Sequence, residues 1–293
     1  MKKIITFLIP LSICFAAKSQ SMIDGFMRGK GNLTTALSFS TEQYDTYYVR
    51  DSAVTNPNLG TITTKSVNLF AAFGVTKYLD VIVGLPYVSA NSSGGYWSKQ
   101  TALQDFSIYL KGRAYHKDFG KLGSLSAMGA VGYVFPASSY VSDAPVAIGH
   151  QSKNLEGRVL LQYRLPVGLF VMAQGGYIKR GNITIDRGYE VSVPDAWDYI
   201  VKVGGTYKFL YADAWLNIQK ARSGTNIGAG VPFPSNAISY QRAGFTVYSS
   251  IPPIKNFGVS VGMSVTLSGE NIGKATRYSA SLVYNVPFFK KGE

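Results

Sequence analysis

Cysteine, histidine and charged residues are all scarce in this chain of 293 residues, and each shortage excludes a class of protein. The one cysteine, Cys14, lies in an N-terminal segment that we expect to be removed, so no disulfide and no thiol chemistry are predicted afterwards. Two isolated histidines, His116 and His150, lack the ligand spacing of a metal site. Because only 15% of the residues are charged and 46% are hydrophobic, a disordered chain is excluded.

Long apolar runs are missing as well. After residue 20 no run approaches the roughly 18 residues of a membrane-spanning helix, which excludes a helical membrane protein. The chain instead has 31 Gly, 20 Tyr and 16 Phe, a composition typical of an all-β protein rich in turns and aromatic residues. Its formal charge of +13 comes from widely scattered residues, so we predict no nucleic-acid partner.

The N-terminus has the features of an export signal. Lys2 and Lys3 precede an apolar run over residues 4–15, and Ala17-Lys18-Ser19 fits the small-x-small cleavage pattern. We therefore predict a signal peptide over residues 1–19 and a single mature domain over residues 20–293.

A period of two dominates the mature sequence. Apolar side chains alternate with small or polar ones over residues 67–75, 257–267 and 278–288, a pattern that predicts two-faced strands. Each strand has about ten residues, the length that a tilted strand needs to cross a bilayer. We predict about twelve strands, near residues 31–44, 62–75, 79–88, 101–116, 124–136, 154–164, 168–179, 197–208, 211–220, 237–251, 257–268 and 275–289.

The connections between these strands alternate in length. Long polar loops are predicted on one side, for example residues 137–153 and 180–196, and tight turns on the other, for example residues 76–78 and 165–167. This alternation is typical of an outer-membrane barrel with its termini and tight turns in the periplasm. The predicted fold is an all-β, antiparallel, up-and-down transmembrane β-barrel of a Gram-negative outer membrane. A secreted β-sandwich is the alternative.

Several short motifs carry a family resemblance. Residues 73–87, FGVTKYLDVIVGLPY, and residues 103–113, LQDFSIYLKGR, resemble two strand motifs of an outer-membrane family named for the meta-pathway of phenol degradation. Leu103 and Gln104 stand where that family has glycines. Shorter matches lie at residues 133–136, 148–152 and 268–271. The resemblance implies one transporter-like barrel that passes small aromatic or hydrophobic compounds, and it supplies no functional residues.

Charges on the inner face are the candidate selectivity residues. Alternation places eight cationic and four acidic side chains toward the lumen, which predicts a preference for anions. The cations are Lys111, Arg113, Arg158, Arg164, Lys202, Lys208, Arg242 and Arg277, and the acids are Asp80, Asp105, Glu156 and Asp213. The alternative is that these charges pair across the lumen and close it. The residues we single out for the lumen are Lys111, Arg113, Arg158, Arg242, Arg277, Asp105 and Tyr109.

The predicted function is passive passage of small solutes, either anionic or aromatic and hydrophobic, through a monomeric barrel with no cofactor, no metal and no catalytic residues. A non-conducting structural or adhesion barrel, with a loop hairpin at residues 182–189 as a binding surface, is the alternative. A hydrolase around His150 is the third hypothesis. Basic residues near strand ends, among them Arg28, are expected to meet anionic lipid and lipopolysaccharide.

Overall fold

A computed structural model describes residues 23–50, 52–55 and 57–288. The predicted signal peptide, with Cys14, lies outside the described residues. Twelve long strands are present in the described part of the chain. They are β1 (Asn32–Tyr44), β2 (Ile62–Gly74), β3 (Leu79–Ser92), β4 (Asp105–Asp118), β5 (Ser124–Pro136), β6 (Asn154–Arg164), β7 (Leu169–Arg180), β8 (Ala196–Tyr207), β9 (Leu210–Ala221), β10 (Ser239–Ser250), β11 (Phe257–Glu270) and β12 (Thr276–Pro287).

Every long strand pairs antiparallel with its neighbours in the chain, and β1 also pairs with β12. The sheet therefore closes into a barrel, which confirms the predicted fold. The predicted boundaries differ from the observed ones by a few residues. The largest differences are four residues: β3 extends to Ser92 rather than residue 88, and Gln104 separates β4 from a short strand, Gln100–Leu103, that the prediction had joined to it.

The two faces of the barrel wall differ in chemistry. Large apolar side chains point outward and are more than half exposed, among them Leu69, Val131, Val159 and Val203. Inward positions carry small, polar and charged side chains. A closed sheet satisfies all of its backbone hydrogen bonds internally, so an apolar outer face suits it to lipid. No helix in the described part of the chain is long and apolar enough to cross a membrane.

The connections differ at the two ends. The end that we assign to the periplasm has tight connections such as residues 75–78 and 208–209, and one 3-10 turn, Gly120–Leu122. The other end has long loops. These loops contain the short strands Thr46–Val49, Ser52–Thr55, Ile183–Thr184, Glu190–Val191 and Ile272–Gly273 and the 3-10 turn Phe233–Ser235.

Candidate functional site

The segment that precedes β1, residues 23–31, enters the barrel at its periplasmic end. We call this segment the N-terminal plug. Ile23 is 2% exposed and lies in an apolar cluster of inward-facing residues that includes Leu160 and Met172. The Phe26 ring packs edge-on against Phe170, with the ring centres 5.3 Å apart. The periplasmic half of the lumen is therefore filled by apolar packing between the wall and the plug.

Ionic contacts hold the plug to the wall. The Lys111 ammonium, which is fully buried, donates to the carbonyl of Phe26 at 2.6 Å and to the Asp24 carboxylate at 3.2 Å. The Lys111 ammonium also lies 3.2 Å from the Asp80 carboxylate. Asp80 is the residue directly opposite Lys111 in the β3–β4 pair. The same Asp80 carboxylate accepts from the backbone N–H of Arg28 at 3.2 Å. We call Asp24, Arg28, Asp80 and Lys111 the Lys111 cluster.

Asp24 of the Lys111 cluster stays ionised at neutral pH. Burial alone would raise the pKa of the Asp24 carboxyl, but the Arg28 guanidinium and the Lys111 ammonium outweigh burial and hold this pKa well below its usual range. The Arg28 guanidinium lies 2.5 Å from Asp24. The expectation that Arg28 faces lipid headgroups is therefore wrong, because its side chain is committed to the plug.

The loop between β5 and β6, residues 137–153, folds inward over the extracellular end. Its side chains Tyr140, Ala144, Val146 and Ile148 form a buried apolar cluster with residues at the tips of β2 and β3. The Tyr140 hydroxyl donates to Asp105 at 2.6 Å and accepts from the backbone N–H of Gln151 at 2.9 Å. We call this loop the extracellular cap, and Asp105, a predicted lumen residue, anchors it.

Two neighbouring loops are tied to the cap at Asp143. Its carboxylate accepts from the Arg187 guanidinium at 2.7 Å and from the backbone N–H of Phe233 at 2.9 Å. Arg187 lies at the turn of a hairpin whose strands are Ile183–Thr184 and Glu190–Val191. A hairpin is therefore present where the sequence suggested one, and three loops close the extracellular end together.

Two polar cavities remain between the plug and the cap. A cavity of about 270 Å³ has Ile23 of the plug, Lys202 and Trp215 in its lining. A second, of about 390 Å³, is bordered by Asp105 and Glu156. Tyr109 and Arg277 border both cavities, so the two lie side by side. Together the two cavities form a polar chamber between the plug and the cap.

Most lumen charges are paired. Arg158 donates to Asp198 at 2.6 Å and to Glu156 at 2.8 Å. Lys202 lies 3.0 Å from Asp213. These pairs lie within one strand or join adjacent or next-nearest strands of the same wall, so the charges are paired along the wall rather than across the lumen.

The count of lumen charges from the sequence needs correction. It omitted three acids, Asp24, Glu42 and Asp198, and it included Lys208. Lys208 lies in the β8–β9 turn, and its ammonium is 5.3 Å from the centre of the Tyr207 ring. Asp198 was detectable, because it has the same inward parity as Lys202 on β8. Asp24 carried no such signal, since it precedes the first alternating segment.

The predicted lumen residues fall into separate groups. Lys111 holds the plug, and Asp105 holds the cap. Arg113 donates to the carbonyl of Lys77 at 3.1 Å in the β2–β3 turn, away from both cavities. The structure brings the other four to the chamber: Tyr109, Arg158, Arg242 and Arg277.

Neither histidine has the surroundings of a catalytic base. His150 lies within the cap, where burial and the nearby Arg180 guanidinium lower its pKa to about 3. The Nδ1 atom of His116 lies 2.9 Å from the Ser126 hydroxyl near the periplasmic turns, with no third group recorded to orient the imidazole. A hydrolase around His150 gains no support from this geometry.

Comparison with solved structures shows the fold. The COG4313 outer-membrane channel from Pseudomonas putida F1 has a TM-score of 0.75, covering 90% of this chain and 100% of that chain at 13% identity. The NanC porin has a TM-score of 0.51, covering 86% of this chain and 98% of that chain at 6% identity. No family model and no curated protein matches the chain, so the phenol-degradation resemblance stays a prediction. This chain has the fold of outer-membrane β-barrel channels.

Proposed function

We propose that this protein is a monomeric outer-membrane channel for small solutes, closed on its periplasmic side by the N-terminal plug. One observation carries the proposal. The plug is a separate segment held by the non-covalent Lys111 cluster beneath two polar cavities. Passage is passive and needs no cofactor. The apolar outer wall contacts outer-membrane lipid, and exposed basic residues such as Lys65 meet lipopolysaccharide.

The wall supports a pore once the plug is displaced. Inward positions on β11, β12 and β1 carry small side chains, including Ser260, Ser264, Ser281 and Ser38. Such residues leave space next to the opposite wall, where the long charged side chains of Arg158 and Lys202 lie. Because local opening displaces a segment without strand pairing more readily than a hydrogen-bonded strand, the plug is the element that opens.

The lumen residues set which solutes pass. Arg242 and Arg277 share the single carboxylate of Glu42 and favour anionic groups, and Tyr109 offers an aromatic surface in the same chamber. Selectivity is therefore part of the proposal, with small anionic and aromatic solutes as the preferred class.

A single methyl group tests the gating. At Gly74 an added Cβ would overlap the backbone carbonyl of Gly29 in the plug, whereas at Gly157 an added Cβ meets nothing within 4 Å. Gly74→Ala therefore forces the plug backbone to move, and Gly157→Ala is the matched control on the lipid-facing side of β6.

The measurement is osmotic swelling of liposomes that contain refolded protein, with sugars of increasing size. We expect slow swelling for the unmodified chain and for Gly157→Ala, and faster swelling for Gly74→Ala that declines as the sugar grows. If folded Gly74→Ala swells no faster than Gly157→Ala with any sugar, the proposed gate is wrong.

A further inference from the structure

Two guanidinium groups in the chamber share one carboxylate. The Arg242 and Arg277 guanidiniums lie 3.6 and 3.9 Å from the same oxygen of Glu42. Charge-assisted hydrogen bonds are about 2.7–2.9 Å long, so neither guanidinium forms a close hydrogen bond with Glu42. We call Arg242 and Arg277 the Arg pair. It carries one more positive charge than its only acidic partner in the described residues, and neither guanidinium has a close carboxylate.

The backbone fixes the Arg pair in place. Arg242 pairs with Thr266 and Gln241 pairs with Ser268, so Leu267 bulges out of the ladder between them. Bulges of this kind redirect side chains next to functional sites. Arg242 then donates to the Thr266 hydroxyl at 3.2 Å, and its guanidinium lies 5.0 Å from the centre of the Tyr240 ring.

The Arg277 guanidinium is also fixed in position, and not all of its N–H groups have hydrogen-bond acceptors. It lies directly opposite Glu42 in the β1–β12 pair and donates to the Ser40 hydroxyl at 3.0 Å. Its Nε has no hydrogen-bond partner in the described structure. The Arg277 side chain is 31% exposed, although it points into the barrel. A guanidinium that is fixed, accessible from a cavity and short of acceptors is suited to a carboxylate, which it can bind through two parallel hydrogen bonds.

The other side chains of the cavity indicate which kind of group could be attached to a carboxylate held by the Arg pair. The 270 Å³ cavity beside the Arg pair has a mainly polar lining that includes Lys202, Asn217 and Gln219. The same lining includes apolar and aromatic side chains that can contact a tail: Tyr109, Met172, Ile178, Ile200, Trp215 and Tyr240. Asp198 also lines it, and its two oxygens are already bound by Arg158 and Asn217. A second carboxylate on the ligand would lie near Asp198, and the other two cations of this cavity, Arg158 and Lys202, are already paired with acids. One carboxylate with an apolar tail therefore fits the charges and side chains of this cavity.

We propose that the Arg pair is a binding site for small monocarboxylates with an aromatic or apolar tail, the carboxylate lying on Arg242 and Arg277 and the tail between Tyr109 and Trp215. This site rests on the proposed channel function, since it lies on the path that the channel would provide. It narrows the solute class of that path to organic monoanions.

Trp215 supplies the readout. The chain has three tryptophans, and Trp97 and Trp197 are both exposed on the outside. Phenylalanine at those two positions leaves Trp215, which is buried at the cavity, as the fluorescent probe. Benzoate is titrated against this protein in detergent, with benzyl alcohol as the neutral analogue and terephthalate as the dicarboxylate. Each titration is repeated with Gly74→Ala, so that entry is not limiting.

We expect saturable quenching by benzoate and at least tenfold weaker binding of benzyl alcohol and of terephthalate. Arg277→Gln and Arg242→Gln should each weaken benzoate about tenfold or more, while Arg277→Lys gives an intermediate loss because the charge stays and the paired donors go. Arg222→Gln, which removes an exposed guanidinium at the extracellular rim, is the control and leaves binding unchanged. Heat-dependent gel mobility verifies that each variant is folded.

Three results would overturn the site: no benzoate binding in either background, equal binding of benzyl alcohol, or full binding by folded Arg277→Gln. If Gly74→Ala opens the channel while benzoate does not bind, the channel stands and the site fails. If benzoate binds through the Arg pair while Gly74→Ala stays closed, the site stands and the proposed gate fails.

Discussion

The Lys111 cluster and the Arg pair are two groups of buried cations in one lumen, and they are satisfied to different degrees. Lys111 has no solvent exposure and reaches three acceptors at 2.6–3.2 Å. The Arg pair has two guanidiniums on one carboxylate at 3.6 and 3.9 Å. Removing one partner of a fully paired buried charge is costly because the other charge stays buried, whereas an under-paired charge facing a cavity is available to a ligand. The Lys111 cluster is therefore assigned to closing the lumen, and the Arg pair to selecting the solutes that enter it.

Removal of the fully paired cation should have the largest effect. Lys111→Met leaves Asp80 buried without its counter-ion, and breaking a buried pair in this way costs about 3–5 kcal/mol. We expect the plug to leave the lumen and the free energy of unfolding to fall by a similar amount. Urea unfolding followed by tryptophan fluorescence measures this loss.

Two controls bracket that result. Lys179→Met breaks the exposed pair with Asp195 at 3.0 Å, and an exposed ion pair contributes little to stability. Arg277→Met removes a loosely paired cation and leaves Glu42 with Arg242, so a loss of about 1 kcal/mol is expected. Equal losses for Lys111→Met and Arg277→Met would remove the distinction between the two groups.

Mild acid should loosen the extracellular cap and leave the plug closed. The pKa of His150 is about 3 in the cap and returns to roughly 6.5 when the loop is released. A lowered histidine pKa means that the stability is complete above pH 6.5 and is lost as the pH falls toward 3. Between pH 7.5 and 5.0 this loss reaches about 2 kcal/mol.

Hydrogen exchange of residues 137–153, corrected for the intrinsic pH dependence, measures the cap directly. The unmodified chain should lose protection at pH 5.0, and His150→Asn should not respond to pH. The Lys111 cluster should stay closed throughout, since the lowered pKa of Asp24 means that its stabilising charge is lost only below the usual carboxyl range. Identical pH responses in both proteins would exclude His150 as the cause.

Charge reversal at the Arg pair should change the ion selectivity of the open channel. In the Gly74→Ala background, Arg242→Glu with Arg277→Glu places three carboxylates where two guanidiniums and Glu42 stood. We expect the reversal potential in a potassium chloride gradient to move toward cations, because charges lining a narrow pore set its field. Unchanged selectivity would mean that ions do not pass the Arg pair.

The barrel wall was predictable because the direction of each strand side chain depends only on its position along the strand. Alternation along Phe257–Glu270 follows directly from one face in lipid and one in the lumen, and the same rule recovers the inward positions of Lys111, Arg158 and Arg277. The rule fails at strand ends. Lys208 was assigned to the lumen because alternation was extended one residue into a turn.

The closing elements were not predictable from pattern. The plug has no period, and its place in the lumen depends on Asp24 and Phe26 meeting Lys111, a contact 85 residues away along the chain for the Phe26 carbonyl. The bulge at Leu267 that places Arg242 is equally invisible in the sequence, since it depends on the pairing register of β10 with β11. Local pattern specifies the wall, and long-range contacts specify what the wall encloses.

The most direct test of the central claim is single-channel conductance in a planar bilayer, with the unmodified chain, Gly74→Ala and Gly157→Ala compared under the same potassium chloride gradient. The account predicts small or rare openings for the unmodified chain and for Gly157→Ala, and frequent, larger steps with a reversal potential toward chloride for Gly74→Ala. Folded Gly74→Ala that is as silent as Gly157→Ala would contradict the account, because the plug would then not be what closes the lumen.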